Sequence, residues 1–137
     1  MVDNIDIIEV IKLYRKFSKY DSYTDKEIAK SIIPSLSLSQ YTVFKNKKNL
    51  KVYGFVNWAF MSNENKKLFL STGIIDDFNW NTGNNLIFIE LVATKNIKQI
   101  FDWSVKKAST FNNIEKEFNW IRVNNNKVKR INTKQIR

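Results

Sequence analysis

Glu90 stands inside the apolar run Leu86 to Ala93, directly after Leu86-Ile87-Phe88-Ile89. A carboxyl in such a place has two readings. Desolvation disfavours the charged form and raises the pKa, which suits a general base working near neutral pH. Alternatively the side chain turns to solvent, or meets a basic neighbour, and does no chemistry. Arg122, on a late strand, reads either as a surface or ion-pair residue or as a holder of a phosphate or carboxylate on a donor or substrate. Thr24 is a helix cap rather than a nucleophile, because Glu27 follows it at capping-box spacing. Asp76 and Asp77 have no third acid, His or Cys near them in the sequence and read as a solvated turn. The chain has no histidine and no cysteine. A zinc site would need carboxylates alone, so no metal centre is expected. Nothing in the fold rests on a disulfide, which suits a reducing compartment.

The elements that must position these residues follow from periodicity. Ile7, Val10, Ile11, Tyr14 and Phe17 recur at the spacing of one helical face, with Asp3 or Asn4 to cap it, and predict a first helix ending near Lys19. A second helix starts at Thr24 and runs through Ile28 and Ile32. Pro34, the sole proline, is expected to stop it by pushing Ile33 out of helical angles. Gln40 to Phe44 and Lys51 to Met61 are rich in β-branched and aromatic residues and predict an antiparallel hairpin. Ser62 caps a short helix, Asn63 to Leu70, with Leu68 and Phe69 turned inward. A polar loop around Trp80 and Gly83 leads to the strand Leu86 to Ala93. A helix follows from Asn96 to about Thr110 with Ile97, Ile100, Phe101, Val105 and Ala108 on one face, and strands Phe118 to Val123 and Lys127 to Asn132 come last. Strand, helix and strand from Leu86 to Val123 make a crossover unit beside a hairpin, so the sheet is expected to be mixed. The fold class is α/β (α+β), an acetyltransferase-like mixed sheet flanked by helices. Trp58 and Trp80 read as core aromatics or as an apolar wall beside a substrate.

At 137 residues the chain is expected to form one domain, 1–137, with 124–137 a basic tail expected to fray: it holds five basic residues and no acidic one. The acidic N-terminus and the lack of any apolar run near the roughly 18 residues of a membrane span predict a cytoplasmic protein. The formal net charge of +10 points to an acidic partner. Gly54, Gly73 and Gly83 stand alone, so no glycine-rich turn is available to cradle a coenzyme A pyrophosphate. No alternation of basic and aromatic residues supports nucleic-acid recognition.

Ile33-Pro34-Ser35-Leu36 is followed after three residues by Gln40-Tyr41. Then come Asn57-Trp58-Ala59 with Ser62 and Glu64-Asn65, Trp80-Asn81-Thr82-Gly83, Ile89-Glu90 and Ile121-Arg122-Val123. In order and spacing these pieces resemble the RTX-toxin-activating lysine acyltransferases over about Phe17 to Arg130. The resemblance implies transfer of a fatty acyl group from an acyl carrier protein to a lysine of a toxin precursor, with no tightly bound cofactor. It places the family's acidic residue at Glu90 and its histidine at Tyr20. Tyr20 therefore enters as a candidate catalytic residue with a phenol, of pKa about 10, where an imidazole, of pKa about 6.5, is the better base. Glu90 is then the candidate base, with Trp58, Trp80 and Arg122 on the substrate side. The same resemblance reaches one subunit of the two-protein systems that join a siderophore to the C-terminus of a microcin. The partners implied are a toxin or microcin precursor together with an acidic acyl carrier protein or a second maturation subunit, in a homo- or hetero-oligomer. A non-catalytic, substrate-presenting partner is the remaining alternative.

Overall fold

The computed structural model describes residues 4–112, 114–115, 117–124 and 127–135, with side chains described within 6–120. Helix α1 (Asn4–Tyr14) buries Val10, Leu13 and Tyr14, while Ile7, Ile11 and Phe17 pack partly against the same core. It ends five residues earlier than the apolar spacing predicts. The N–H groups of Lys16 and Phe17 turn to the carbonyls three residues back, Leu13 and Tyr14, and Phe17 then takes an extended backbone. A 3-10 turn (Ser18–Tyr20) follows, which folds position 20 back toward α1.

Helix α2 (Asp25–Ser37) opens on the expected capping box: Thr24 Oγ1 accepts from the Glu27 N–H at 3.1 Å, and Glu27 Oε1 accepts from the Thr24 N–H at 3.1 Å. Pro34 does not stop the helix, which continues to Ser37. A proline this close to the C-terminus removes one amide from the ladder but leaves the closing contacts intact, and the Leu38 N–H still reaches the carbonyls of Pro34 and Leu36. Burial of Ile32, Ser35 and Leu36 on both sides of the proline holds that last turn on the core.

Strands β1 (Tyr41–Lys45) and β2 (Val52–Met61) form the hairpin, with Tyr41 opposite Asn57 and Phe44 opposite Gly54. Ser62 caps α3 (Asn63–Thr72), and Gly73 ends it at φ 73°, a left-handed conformation that suits glycine. Phe69 faces inward as expected. Leu68 does not; it is exposed, because α3 turns the row through Phe69 to the sheet and places its neighbour one step around the helix. A second 3-10 turn (Asp77–Asn79) leads into β3 (Asn85–Ala93), α4 (Ile97–Ala108), β4 (Glu117–Asn124) and β5 (Lys127–Gln135). Ile97, at the first turn of α4, is also exposed.

The sheet order is β1-β2-β3-β4-β5. β3 and β4 are parallel, pairing Leu86 with Phe118 and Phe88 with Trp120, and β4 and β5 are antiparallel. The sheet is mixed, flanked by helices, as the crossover unit requires. The chain divides into two compact units, Met1–Asn57 with Glu90–Phe101, and Trp58–Ile89 with Asp102–Arg137. The first has a core of α1, α2 and the strand residues Val52, Phe55 and Val92. The second is built around Ala59, Met61, Phe69, Trp80 and Ile87. Gly83 belongs to this second unit, where a Cβ would meet Met61 carbonyl atoms and the Ser62 nitrogen at 2.5–2.6 Å. Among the described residues no helix is long and apolar enough to cross a membrane.

Candidate functional site

Glu90 lies in the first unit, on β3, with half-buried Ile89 before it and exposed Leu91 after it in the sequence. The residue is half-buried, and burial pushes its carboxyl up from 4.5 to about 7, with the Lys19 ammonium pulling weakly the other way. A carboxyl of that affinity is split between acid and base forms near neutral pH, the condition a general base needs.

Two phenols share this neighbourhood. Tyr14, from α1, is buried to 1% exposure. Tyr20, from the 3-10 turn, is half-buried with its ring 4.7 Å from that of Tyr14. Burial first, and the Glu90 charge second, raise the pKa of both phenols, so both stay protonated at any working pH. Tyr20 lies within reach of the Glu90 charge, and its raised pKa leaves almost no phenolate to act as a base. The Lys19 ammonium sits 5.0 Å over the Tyr20 ring. Among the described residues the Tyr14 hydroxyl has no hydrogen-bond partner.

Sequence reasoning missed the residues that hold this group in place. Arg15 donates from Nη1 to the Tyr20 carbonyl at 3.0 Å, from Nη2 to the Tyr23 carbonyl at 2.6 Å, and from Nε to Asp25 Oδ1 at 2.8 Å. One guanidinium thus fixes the segment between α1 and α2. On the other side of Glu90, Asn57 is buried in β2. Its Oδ1 accepts from the Glu90 N–H at 2.8 Å, and its Nδ2 donates to Ser35 Oγ at 3.0 Å. Ser35, also buried, donates to the Ile32 carbonyl at 2.8 Å. The available signal was Asn57 itself, a polar residue within the run Phe55-Val56-Asn57-Trp58-Ala59. A buried amide has to be satisfied by something.

The expected substrate-side residues lie in the second unit. Trp58 is buried among Phe88, Trp103 and Phe111 at ring separations of 6.0, 6.2 and 5.9 Å. Trp80 is buried in the group with Met61, Phe69 and Ile87, and its carbonyl accepts from the Phe60 N–H at 2.9 Å. Arg122 falls on β4 opposite Arg130, and its side chain lies outside the described residues. Asp76 and Asp77 are exposed around the second 3-10 turn. Among the described residues no three metal-binding side chains stand together.

The sequence profile of the RTX toxin acyltransferase family matches residues 4–135. No curated protein matches the chain. Among solved structures, the chain is similar to the GphF GNAT-like decarboxylase in complex with isobutyryl-CoA (TM-score 0.63, 11% identity, 90% of this chain and 65% of that one). It is also similar to the loading GNATL domain of CurA from Lyngbya majuscula (TM-score 0.65, 9% identity, 87% of this chain and 61% of that one). The chain spans less than two thirds of the length of either. At such identities the likeness establishes the fold: a GNAT-like, acetyltransferase-type sheet with flanking helices.

Proposed function

The chain belongs to the RTX toxin acyltransferase family, so acyl transfer is its class of chemistry, and from that premise we propose that it acylates a secreted protein or peptide toxin in the cytoplasm before export. The acyl group comes from the thioester of an acidic acyl carrier protein and goes to a lysine of the toxin, with Glu90 as the base. The observation that carries this reading is the carboxyl at the family's acidic position, half-buried and lifted to about 7.

The Glu90 carboxylate takes a proton from the lysine ammonium. The freed amine attacks the thioester carbonyl, and the C–N bond forms as the C–S bond breaks. The nitrogen's second proton goes to the departing thiolate, giving amide and carrier thiol, and Glu90 returns its own proton to solvent. Tyr20 and Tyr14 take no proton in this scheme. They border the carboxyl and keep its surroundings poor in water. The net charge of +10 supports an acidic donor protein, because complementary charge speeds encounter and makes it sensitive to salt.

One observation favours a second reading. Tyr20 stands where the family carries a histidine, and a chain without the usual base suits the branch that joins a siderophore to the C-terminus of a microcin with a second protein. There a hydroxyl is the acceptor. Co-purification from the native gene cluster at low and high salt, followed by assays with each component left out and mass spectrometry of the product, separates the two. A fatty acyl mass on a toxin lysine supports the first reading, and a siderophore mass on a peptide C-terminus supports the second. Normal product from Glu90→Gln would remove Glu90 as base in either, and unchanged product with this chain omitted would make it a bystander.

A further inference from the structure

We infer that Asn57 is a positioning residue for Glu90, locked in one orientation by Ser35. The inference rests on the reading of Glu90 as the base. A side-chain amide can be turned either way round, so its direction needs a cause. Ser35 has one hydroxyl proton, and that proton is committed to the Ile32 carbonyl at 2.8 Å. Toward Asn57 the hydroxyl therefore only accepts. That fixes Nδ2 on the Ser35 side at 3.0 Å and leaves Oδ1 facing the Glu90 N–H at 2.8 Å.

Each bond thus sets the sense of the next, from α2 through β2 to β3. Ser35 and Asn57 are both fully buried, so water does not compete for any of these contacts. The amide of Glu90 is held by a side chain on β2, so the direction in which its carboxyl leaves β3 depends on that side chain. The groups facing Glu90 from the other elements, Tyr14 on α1 and Lys19 and Tyr20 on the 3-10 turn, are coupled to its carboxyl through charge. Asn57 and Ser35 act on the backbone end, and neither contacts substrate in this scheme.

The test compares Ser35→Ala, Asn57→Ala and Glu90→Gln in the maturation assay, with kcat, the KM for acyl carrier thioester and the pH–rate profile measured for each. Ser35→Ala leaves the buried Nδ2 of Asn57 without its acceptor, loosens the amide and is expected to lower kcat about tenfold, the value of one buried hydrogen bond. Asn57→Ala is expected to lower it about 10²-fold, as for a misplaced catalytic group. Both should leave the KM within about twofold and displace the acid limb of the profile. Wild-type kcat and an unmoved acid limb in both variants, with Glu90→Gln inactive, overturn the positioning role and leave the base reading standing. Normal turnover by Glu90→Gln removes the base reading and the inference with it. If Asn57→Ala does not fold, Ser35→Ala carries the comparison. Amide exchange of the wild-type protein gives an independent measure. The Glu90 N–H is expected to be protected, and exchange at the rate of an exposed amide overturns the proposal.

Discussion

Replacing Glu90 by glutamine should flatten the pH dependence of folding stability, and the size of the effect follows from where the carboxyl sits. Glutamine mimics the neutral acid in shape and removes its ionisation. In the fold the carboxyl titrates at about 7, against an ordinary 4.5 when the chain is unfolded. Between those values the folded protein binds a proton that the unfolded chain has released, so stability falls as pH rises. Glu90's contribution is whole below about 4.5 and is lost as pH passes 7. A gap of 7 minus 4.5, about 2.5 pH units, at about 1.36 kcal/mol each gives about 3.4 kcal/mol. Residual exposure of the side chain lowers the expected figure to about 2–3 kcal/mol. Urea unfolding of both proteins from pH 4.5 to 8.5 measures it, since every other titrating group is common to the two and cancels in the difference. The curves should meet at the acid end, part from about pH 5 and run parallel above about pH 7.5, with Glu90→Gln the more stable at pH 8. Parallel curves across the range would show that the carboxyl is not desolvated and would remove the physical basis for calling it a base.

Three further outcomes are expected. Tyr20→Phe should cost less than the 10²-fold typical of losing a general base, because the phenol stays protonated beside Glu90; a larger loss in a folded protein, read by mass spectrometry of the toxin, would make the hydroxyl a participant. Thr24→Ala should destabilise the protein by about 1 kcal/mol by removing the cap at the start of α2, and an unchanged thermal midpoint would refute that. Gly83→Ala should cost about 1–3 kcal/mol in urea unfolding, because its methyl meets main-chain atoms of Met61 and Ser62 that cannot swing aside, and a neutral result would mean that the loop gives way.

Much of this was legible because local signals and tertiary packing agree. The Thr24–Glu27 box, the Ser62 cap and the crossover through α4 each depend on nearby residues, and each formed as expected. The failures have tertiary causes. The apolar spacing of α1 continues to Phe17, yet the chain leaves the helix at Tyr14 while Phe17 stays partly in the core: spacing reports which residues are buried, and the backbone that buries them can be a turn. Pro34 was overruled by burial on either side of it. At the site, Glu90 could be found from an acid in an apolar run, whereas its supports could not. Asn57 and Ser35 meet across 22 positions of sequence, and Arg15 serves two carbonyls that carry no side-chain signature.

Arg15 also bears on which side chains position 20 can carry. The guanidinium holds Tyr20 by the main-chain carbonyl, and Tyr23 likewise, so the anchor is indifferent to which side chain the residue carries. A loop fixed in this way offers a socket of constant shape into which different chemical groups can be substituted without refolding the segment. Exchange of the Tyr20 phenol for another group alters the reactivity of the neighbourhood and leaves its frame in place. The site can therefore diverge in chemistry at a single codon while its architecture, secured from α1, stays the same.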